Sequence, residues 1–218
     1  MTDKPYSAAC ERNRDPILAV LRQRFADRRH VLEVGAGSGQ HAVYFAAAMP
    51  WLRWQCADHA DYLPGIVLWL EEAALPNTPA PIELEAVAQP TPHFVPAPPL
   101  PRDADGSVVG YDAVFSANTL HIMGWPEVVA FFAGLATVLA EDAVVVVYGP
   151  FNYQGEYSSD SNRQFDASLR ERDGRSGIRD FEAVDGLAAS IGLRLSEDVG
   201  MPANNRCLVW RRRGDLSQ

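Results

Sequence analysis

The chain has 218 residues, 47% hydrophobic and 22% charged, a composition that excludes a wholly disordered or fibrous protein. We expect one soluble domain, residues 1–218. A formal net charge of −9 disfavours DNA or bulk RNA as the main partner. The three cysteines form neither a CxxC motif nor a zinc spacing, and no apolar run approaches the ~20 residues that span a bilayer. We therefore expect a cytoplasmic protein with no metal site and no contact with a membrane.

In the first 90 residues, apolar runs of strand length alternate with segments of helical period. This alternation predicts a parallel sheet with helices on both faces. The predicted elements are a helix over 14–25, a strand over 30–34, a helix over 40–49, a strand over 53–57, a helix over 62–74 and a strand over 82–87.

The next segment holds six prolines between positions 90 and 101. Because proline lacks the backbone donor and fixes φ, we predict a long surface connection that replaces or shortens a helix. The remaining predictions are a strand over 111–116, a helix over 126–140, a buried strand over 143–148, an irregular segment over 149–177, a helix over 180–191, and strands over 193–199 and 205–211. A short loop joins the last two strands, which permits an antiparallel pair. The predicted fold class is α/β, with a mixed seven-stranded sheet of five parallel strands plus a terminal antiparallel hairpin.

The strongest local signal is a glycine-rich loop directly after the first strand and before a helix. Glycine permits a tight turn there and lets a ligand lie against the backbone. The dinucleotide fingerprint GxGxxG would need a glycine at position 40, where this chain has Gln40. The pattern is GxGxG instead, and it resembles the first motif of class I S-adenosylmethionine (SAM) methyltransferases. That resemblance implies cofactor contacts from Glu33, Gly35, Ala36, Gly37 and Gly39.

A second candidate cofactor residue, Asp58, closes the second strand. It lies 19 residues after Gly39 (58 − 39 = 19), close to the usual ~20 for an acid that binds ribose hydroxyls. Asp58 is alternatively an ordinary helix cap or turn acid. Asp61 is its close competitor and the better cap for the following helix.

From about Ala8 to Arg211, the chain resembles the methyltransferase-like protein 26 family. The matching segments include residues 9–18, 31–41, 117–122, 148–150, 161–166, 177–180 and 201–205. The resemblance implies a Rossmann-like class I methyltransferase fold, a SAM cofactor, and an N-terminal segment with Arg12 folded over the cofactor site. It does not indicate the reaction. Relatives end the third strand with an Asp near the adenine; here either Glu85 is displaced or Ala86 occupies that position.

The chemistry is expected beyond the fourth strand, because ligands of open α/β sheets bind at the carboxyl ends of the strands. His121 follows that strand and is a candidate general base, since an imidazole titrates near neutral pH. It could instead pack under Trp125. Asn118 is a candidate for orienting the substrate or the cofactor.

Further polar residues are expected to surround a substrate pocket, although such residues are also common in ordinary loops. Among them, Arg179 would suit a substrate carboxylate, as would Arg12. The predicted set is Tyr148, Tyr153, Asn162, Asp166, Arg179, Asn204 and Asn205.

The leading functional hypothesis is a SAM-dependent methyltransferase that acts on a small molecule. A non-catalytic SAM-binding protein is the alternative from another class, and a nicotinamide-dependent oxidoreductase is a less favoured enzyme. No motif indicates the oligomeric state.

Overall fold

The computed structural model describes residues 4–212. The helices are α1 (Ala8–Arg24), α2 (Gln40–Ala48), α3 (Leu63–Ala73), α4 (Trp125–Val138), α5 (Asp160–Arg172) and α6 (Phe181–Ser190). The strands are β1 (His30–Val34), β2 (Arg53–Asp58), β3 (Ile82–Glu83), β4 (Glu85–Val87), β5 (His93–Val95), β6 (Tyr111–Ala117), β7 (Leu139–Gly149), β8 (Phe151–Asn152), β9 (Arg179–Asp180), β10 (Leu193–Met201) and β11 (Asn205–Arg212).

Seven strands form the central sheet, in the order β3-β2-β1-β6-β7-β11-β10. The first five in this order run parallel, and β11 lies antiparallel between β7 and β10. The predicted sheet of five parallel strands with a terminal antiparallel hairpin is confirmed. The carboxyl ends of the parallel strands meet at one edge, where this fold class binds ligands.

Strand β7 shows why the sheet is covered on both faces. All residues from 143 to 149 are buried, and a continuous apolar run of this kind is typical of a strand packed on both sides. Val144 and Val146 face the layer that contains α1, α2 and α3. Val145 and Val147 face the layer of α4 and α6. The sheet therefore separates two cores.

Two helices differ from the sequence prediction. Helix α1 begins at Ala8 rather than at position 14, because the Ser7 hydroxyl caps it by accepting from the Cys10 N–H at 3.4 Å. Helix α5 lies inside the segment predicted to be irregular, and its cap is Ser159, which accepts from the Asn162 N–H at 3.1 Å. Its buried face includes the polar residues Asn162 and Asp166, so the sequence lacks the helical spacing of apolar residues that would have predicted this helix.

The third predicted strand is two strands. Only β3 joins the central sheet, while β4 pairs with β5 in a separate ribbon. Phe94 of β5 packs against Gly134 of α4, so this ribbon lies against that helix. Within the described residues no helix lies between β3 and β6, which confirms the proline-rich connection.

Among residues 4–212, no helix combines the length and apolarity needed to cross a bilayer. The same residues contain no group of three or more His, Cys, Asp or Glu side chains placed to hold a metal ion. Cys10, Cys56 and Cys207 are free thiols.

Candidate functional site

The glycine loop joins β1 to α2 through a backbone path that favours glycine. Gly35, Gly37 and Gly39 have φ values of +79°, +60° and +87°, a region that other residues enter only with strain. The Gly35 N–H donates to the Ala57 carbonyl at 2.9 Å, which fixes the loop to β2. A Cβ at Gly39 would lie 3.2 Å from the Ile66 Cα atom, whereas a Cβ at Gly37 would meet no atom within 4 Å. The loop is thus held on one side and open at its middle.

Asp58 lies directly against this loop. Its carboxylate accepts from the Gly37 N–H at 2.6 Å and from the His59 N–H at 2.7 Å. Burial raises the pKa of Asp58, although these two donors act to lower it. A carboxylate has about four lone-pair sites, so further acceptor capacity is left. Asp61 is not a helix cap, because it lies in the single 3₁₀ turn that precedes α3.

Glu33 lies beneath the loop, within β1. Its side chain is buried and accepts a hydrogen bond from the Trp54 Nε1–H at 2.6 Å. Burial raises the pKa of Glu33 to about 8, and the charge of Asp58 adds to the shift. Glu33 is therefore largely protonated at neutral pH in this state and meets no solvent.

The N-terminal segment packs over α2 and α3 beside the glycine loop. The Ser7 N–H donates to Gln40 Oε1, and Asn13 Oδ1 lies 2.7 Å from His41 Nε2. Asn13 is consequently inside α1 and is not its cap, contrary to one sequence-based interpretation. Lys4 reaches the Trp69 ring, 3.5 Å from the ring centroid.

Arg12 projects from the first turns of α1 and is exposed. It lies close enough to Tyr148 for its charge to lower the pKa of that hydroxyl, which burial raises more strongly. Within the described residues the Arg12 guanidinium has neither a hydrogen bond nor an ion pair. Arg12 is thus available at the edge where β7 ends.

The segment after β6 brings three polar residues to the same edge. Asn118 has a φ of +58°, and its N–H donates to the Tyr148 carbonyl at 2.8 Å. The Thr119 side chain fills the space that a Cβ at Gly35 would need. His121 is buried, and no hydrogen bond to its ring is present within residues 4–212. Its aromatic partner is Phe165, at 5.4 Å between ring centroids, rather than the expected Trp125.

Burial lowers the pKa of His121 to about 4, and the charges of Arg179 and Arg172 add to this shift. The imidazole is therefore neutral at physiological pH and has a free lone pair. A Cβ at Gly149 would lie 3.7 Å from the His121 Nδ1 atom, so the end of β7 contacts this ring.

Two of the predicted substrate residues are bonded to the protein itself. Arg179 donates to the carbonyls of Leu120, Met123 and Arg175, which holds the segment that carries His121. Asp166 accepts three hydrogen bonds, from the Tyr157 hydroxyl, the Arg170 guanidinium and the Ile178 N–H, at 2.7, 2.7 and 2.6 Å. These contacts anchor α5 over the site.

Four more predicted substrate residues also bond within the rim. Asn162 donates to the Ser158 hydroxyl and to the Asn204 carbonyl, and the Asn204 amide donates to the Ser161 hydroxyl. The Asn205 amide donates to the Pro202 carbonyl. Tyr153 donates to Asp198 of β10 at 2.7 Å and stacks on Phe181, and its pKa is raised by burial and this bond. These bonds support the rim.

Glu85 lies in β4, outside the central sheet, which agrees with the first of the two alternatives predicted from the sequence. Its exposed carboxylate lies 3.9 Å from the Nε2 atom of His59, the residue that follows Asp58 in the chain. Ala86 is buried in the core and presents no polar group. Phe165, which no sequence motif marked as a site residue, is placed against His121 by the helix that prediction missed.

Solved structures of similar fold include the mitomycin 7-O-methyltransferase MmcR, at 19% identity and a TM-score of 0.67 over 86% of this chain and 50% of that one. An O-methyltransferase family protein from Burkholderia thailandensis is 14% identical, with a TM-score of 0.72 over 92% of this chain and 56% of that chain. An O-methyltransferase from neocarzinostatin biosynthesis, in complex with SAM and 2-hydroxy-5-methyl naphthoic acid, is 17% identical, with a TM-score of 0.68 over 93% of this chain and 54% of that chain.

This chain therefore has the class I methyltransferase fold and spans about half the length of these three proteins. The sequence model of one family, described as "Protein of unknown function (DUF938)", matches residues 4–212. Because this match covers nearly the whole chain, the protein belongs to the DUF938 family.

Proposed function

We propose that this protein is a SAM-dependent methyltransferase that acts on a small molecule, within a branch similar to the methyltransferase-like protein 26 family. The observation that carries the proposal is the contact between the glycine loop and Asp58. Gly35, Gly37 and Gly39 have positive φ and carry no side chain, and Asp58 accepts from the N–H of the middle glycine. A ligand that carries hydroxyl groups and lies against exposed backbone fits this pairing.

The residues of the loop fit SAM. The open space at Gly37 would take the methionine part, and the lone pairs of Asp58 that remain free would accept from the ribose hydroxyls. We propose that Glu85 and His59, whose side chains lie 3.9 Å apart beside Asp58, would flank the adenine. Glu33 would stay a buried acid beneath the loop, and a cation bound nearby would favour its ionised form. When bound, SAM would supply a methyl group on a sulfonium: an acceptor nucleophile would form a bond to the methyl carbon as the carbon–sulfur bond breaks, and S-adenosylhomocysteine would leave.

His121 is our candidate for the base that takes the acceptor's proton. Its neutral ring has a free lone pair at physiological pH, because its pKa is lowered to about 4. Such a weak base suffices when the acceptor atom gains positive charge during the transfer, since that charge makes its proton strongly acidic. Asn118, at the start of the same segment, is the candidate for orienting the acceptor.

Arg12 and Tyr148 are the candidates for binding the acceptor. Arg12 is exposed beside Tyr148 and unpaired within the described residues, so it can meet a carboxylate or phenolate. Tyr153, Asn162, Asp166, Arg179, Asn204 and Asn205 support the rim through the bonds described above. We therefore propose that these six residues shape the acceptor site by positioning other residues.

The experiment is a turnover assay of purified protein with SAM and a pool of small phenols, carboxylic acids and amines, followed by mass spectrometry of S-adenosylhomocysteine. We expect product formation that depends on an acceptor and is lost in His121→Ala. Product at equal rates with and without every acceptor would contradict the proposal. A parallel fluorescence titration with NADH should show no binding; saturable NADH binding without SAM binding would favour an oxidoreductase.

A non-catalytic SAM-binding protein is the second candidate. The displaced Glu85 favours it, because the position that relatives fill with an adenine-side Asp carries no inward-facing acid here. Tight SAM binding with no turnover across the acceptor pool would support this second function.

A further inference from the structure

A groove of about 480 Å³ lies at the amino end of the sheet, opposite the glycine loop. Residues 26–30, Trp51 and Arg53 line it. His30 begins β1 and Arg53 begins β2, and they are register partners on neighbouring parallel strands. Their side chains therefore project from the same face of the sheet into this groove. The volume falls within the range of ~300–1,000 Å³ that small-molecule sites occupy.

Three arginines and one acid, Asp27, line the groove in a chain of net charge −9. Arg28 is neutralised by Asp27 and Asp142, each at 2.7 Å. Arg29 and Arg53 are exposed, and within residues 4–212 neither guanidinium has an ion pair or a hydrogen bond. Two arginines are thus free to bind an anion.

Asp112 is a further acid next to the groove, and its lone pairs are engaged. Asp112 accepts from the backbone N–H groups of Arg29 and His30, at 2.8 and 2.7 Å. It therefore supports the backbone of the groove and does not pair with a lining guanidinium.

The groove also presents an aromatic surface. Trp51 is 48% exposed, and its Nε1–H donates to the Phe25 carbonyl at 3.1 Å, which fixes the orientation of the indole. The His30 Nδ1 atom is buried without a partner, and such an orphaned polar atom destabilises the fold unless a ligand or water bonds to the ring.

We propose that this groove is a second binding site, for a small ligand that contains both a phosphate group and a flat ring, as a pyrimidine nucleotide does. Arg29 and Arg53 bind the phosphate through charge-assisted hydrogen bonds. The ring of the ligand stacks on the Trp51 indole. The site is separate from the glycine loop, because the two lie at opposite ends of the parallel strands.

The test is calorimetric titration of the full-length protein with uridine monophosphate, a nucleotide that lacks the adenine of SAM. S-adenosylhomocysteine is added at about 1 mM so that it occupies the proposed cofactor site. We expect saturable binding of uridine monophosphate that weakens as salt rises. Uridine keeps the flat ring without the phosphate, and inorganic phosphate keeps the phosphate without the ring. Each should bind at least about tenfold more weakly than uridine monophosphate does.

Three variants sharpen the test. Arg53→Gln and Arg29→Gln should each weaken uridine monophosphate binding about tenfold or more, while thermal melting confirms that each variant is folded. Arg194→Gln is the matched control, because Arg194 is exposed on β10 at the far edge of the sheet, and it should bind as the unmodified protein does. No binding of uridine monophosphate at millimolar concentration, or equal affinity in Arg53→Gln and the unmodified protein, would overturn the proposal. A failure of S-adenosylhomocysteine to bind would count against the proposed methyltransferase alone.

Discussion

The two halves of the candidate site use their polar groups in opposite ways. In the half built on the glycine loop, Asp58 accepts only two backbone N–H groups, and open space lies beside Gly37. In the half built on α5 and the segment after β6, Asp166 has three donors and Arg179 has three acceptors, all within the protein.

This difference distinguishes polar groups that can bind a ligand from polar groups that hold the structure of the site. A polar group with unfilled hydrogen-bonding sites can recognise a ligand, whereas a buried group whose partners are all internal mainly fixes geometry. The glycine-loop half therefore has the character of a ligand site. The other half is mainly a frame that holds His121, whose ring has no hydrogen bond within residues 4–212.

The largest expected effect comes from removing that side chain. His121→Ala should lower turnover by about 10²- to 10⁴-fold, because a positioned base acts only in the chemical step. Binding of S-adenosylhomocysteine should stay unchanged. The measurements are turnover per folded molecule and calorimetric affinity. A variant that melts at a lower temperature and keeps its rate would make His121 part of the frame instead.

The pH dependence of the rate sharpens the same comparison. An ordinary histidine would lose its base form near pH 6–7, as expected from sequence alone. With its pKa lowered to about 4, His121 should keep its base form, and the enzyme its rate, down to roughly pH 5. A half-maximal rate near pH 6.5 that disappears in the His121 variant would contradict this buried, neutral imidazole.

Acid should also lower the free energy of unfolding of the whole protein. Burial lowers the pKa values of His41 and His121 to about 4, from 6.5. The folded state thus binds fewer protons than the unfolded state between pH 4 and 6.5. This contribution to stability is complete above pH 6.5 and is lost as the pH falls, by about 3 kcal/mol for each residue at most.

Urea unfolding at pH 7 and pH 5 measures this loss. His41→Gln should lose less stability between the two pH values than the unmodified protein does. The control is His59→Gln, which changes an exposed imidazole. An equal loss in His41→Gln and the unmodified protein would show that His41 is not the cause.

A smaller loss of stability is expected from Asp166→Ala. The substitution leaves the buried Ile178 N–H and the Tyr157 hydroxyl without their acceptor, at a cost of about 2–3 kcal/mol. Glu171→Ala changes an exposed acid on the same helix and should cost less than about 0.5 kcal/mol. Equal unfolding midpoints for the two variants would mean that Asp166 is not a structural anchor.

The sequence predicted the glycine-loop half well because its signals are local. Glycines directly after an apolar strand, and an acid at the end of the next strand, specify a backbone turn and its neighbour. The structure brings Gly37 and Asp58 within hydrogen-bond distance. The five parallel strands and the terminal hairpin likewise followed from the alternation of strands with helices and from one short loop.

The frame was harder to predict because residue type alone does not reveal which polar groups are bonded within the protein. Arg179 donates to the carbonyls of Leu120 and Met123, which lie 59 and 56 residues away in the chain. The partners of Asp166 lie within 12 residues of it, but only the fold of α5 and the loop after it brings them together. Helix α5 was missed because its buried face contains Asn162 and Asp166, so no apolar period marked it. Phe165, which contacts His121, could have been found only with that helix in place.

The measurement that tests the central claim most directly is the affinity of S-adenosylhomocysteine for Asp58→Asn, compared with Asp61→Asn and the unmodified protein. Asparagine keeps the size of Asp58 and one acceptor for the Gly37 N–H, but it removes the charge. Charged hydrogen bonds contribute about 1.5–3 kcal/mol, so the dissociation constant of Asp58→Asn should rise about 10- to 100-fold. Asp61→Asn, three residues further along in an exposed turn, should bind as the unmodified protein does. Equal affinity in all three proteins, or no binding to any of them, would contradict a cofactor site built from the glycine loop and Asp58.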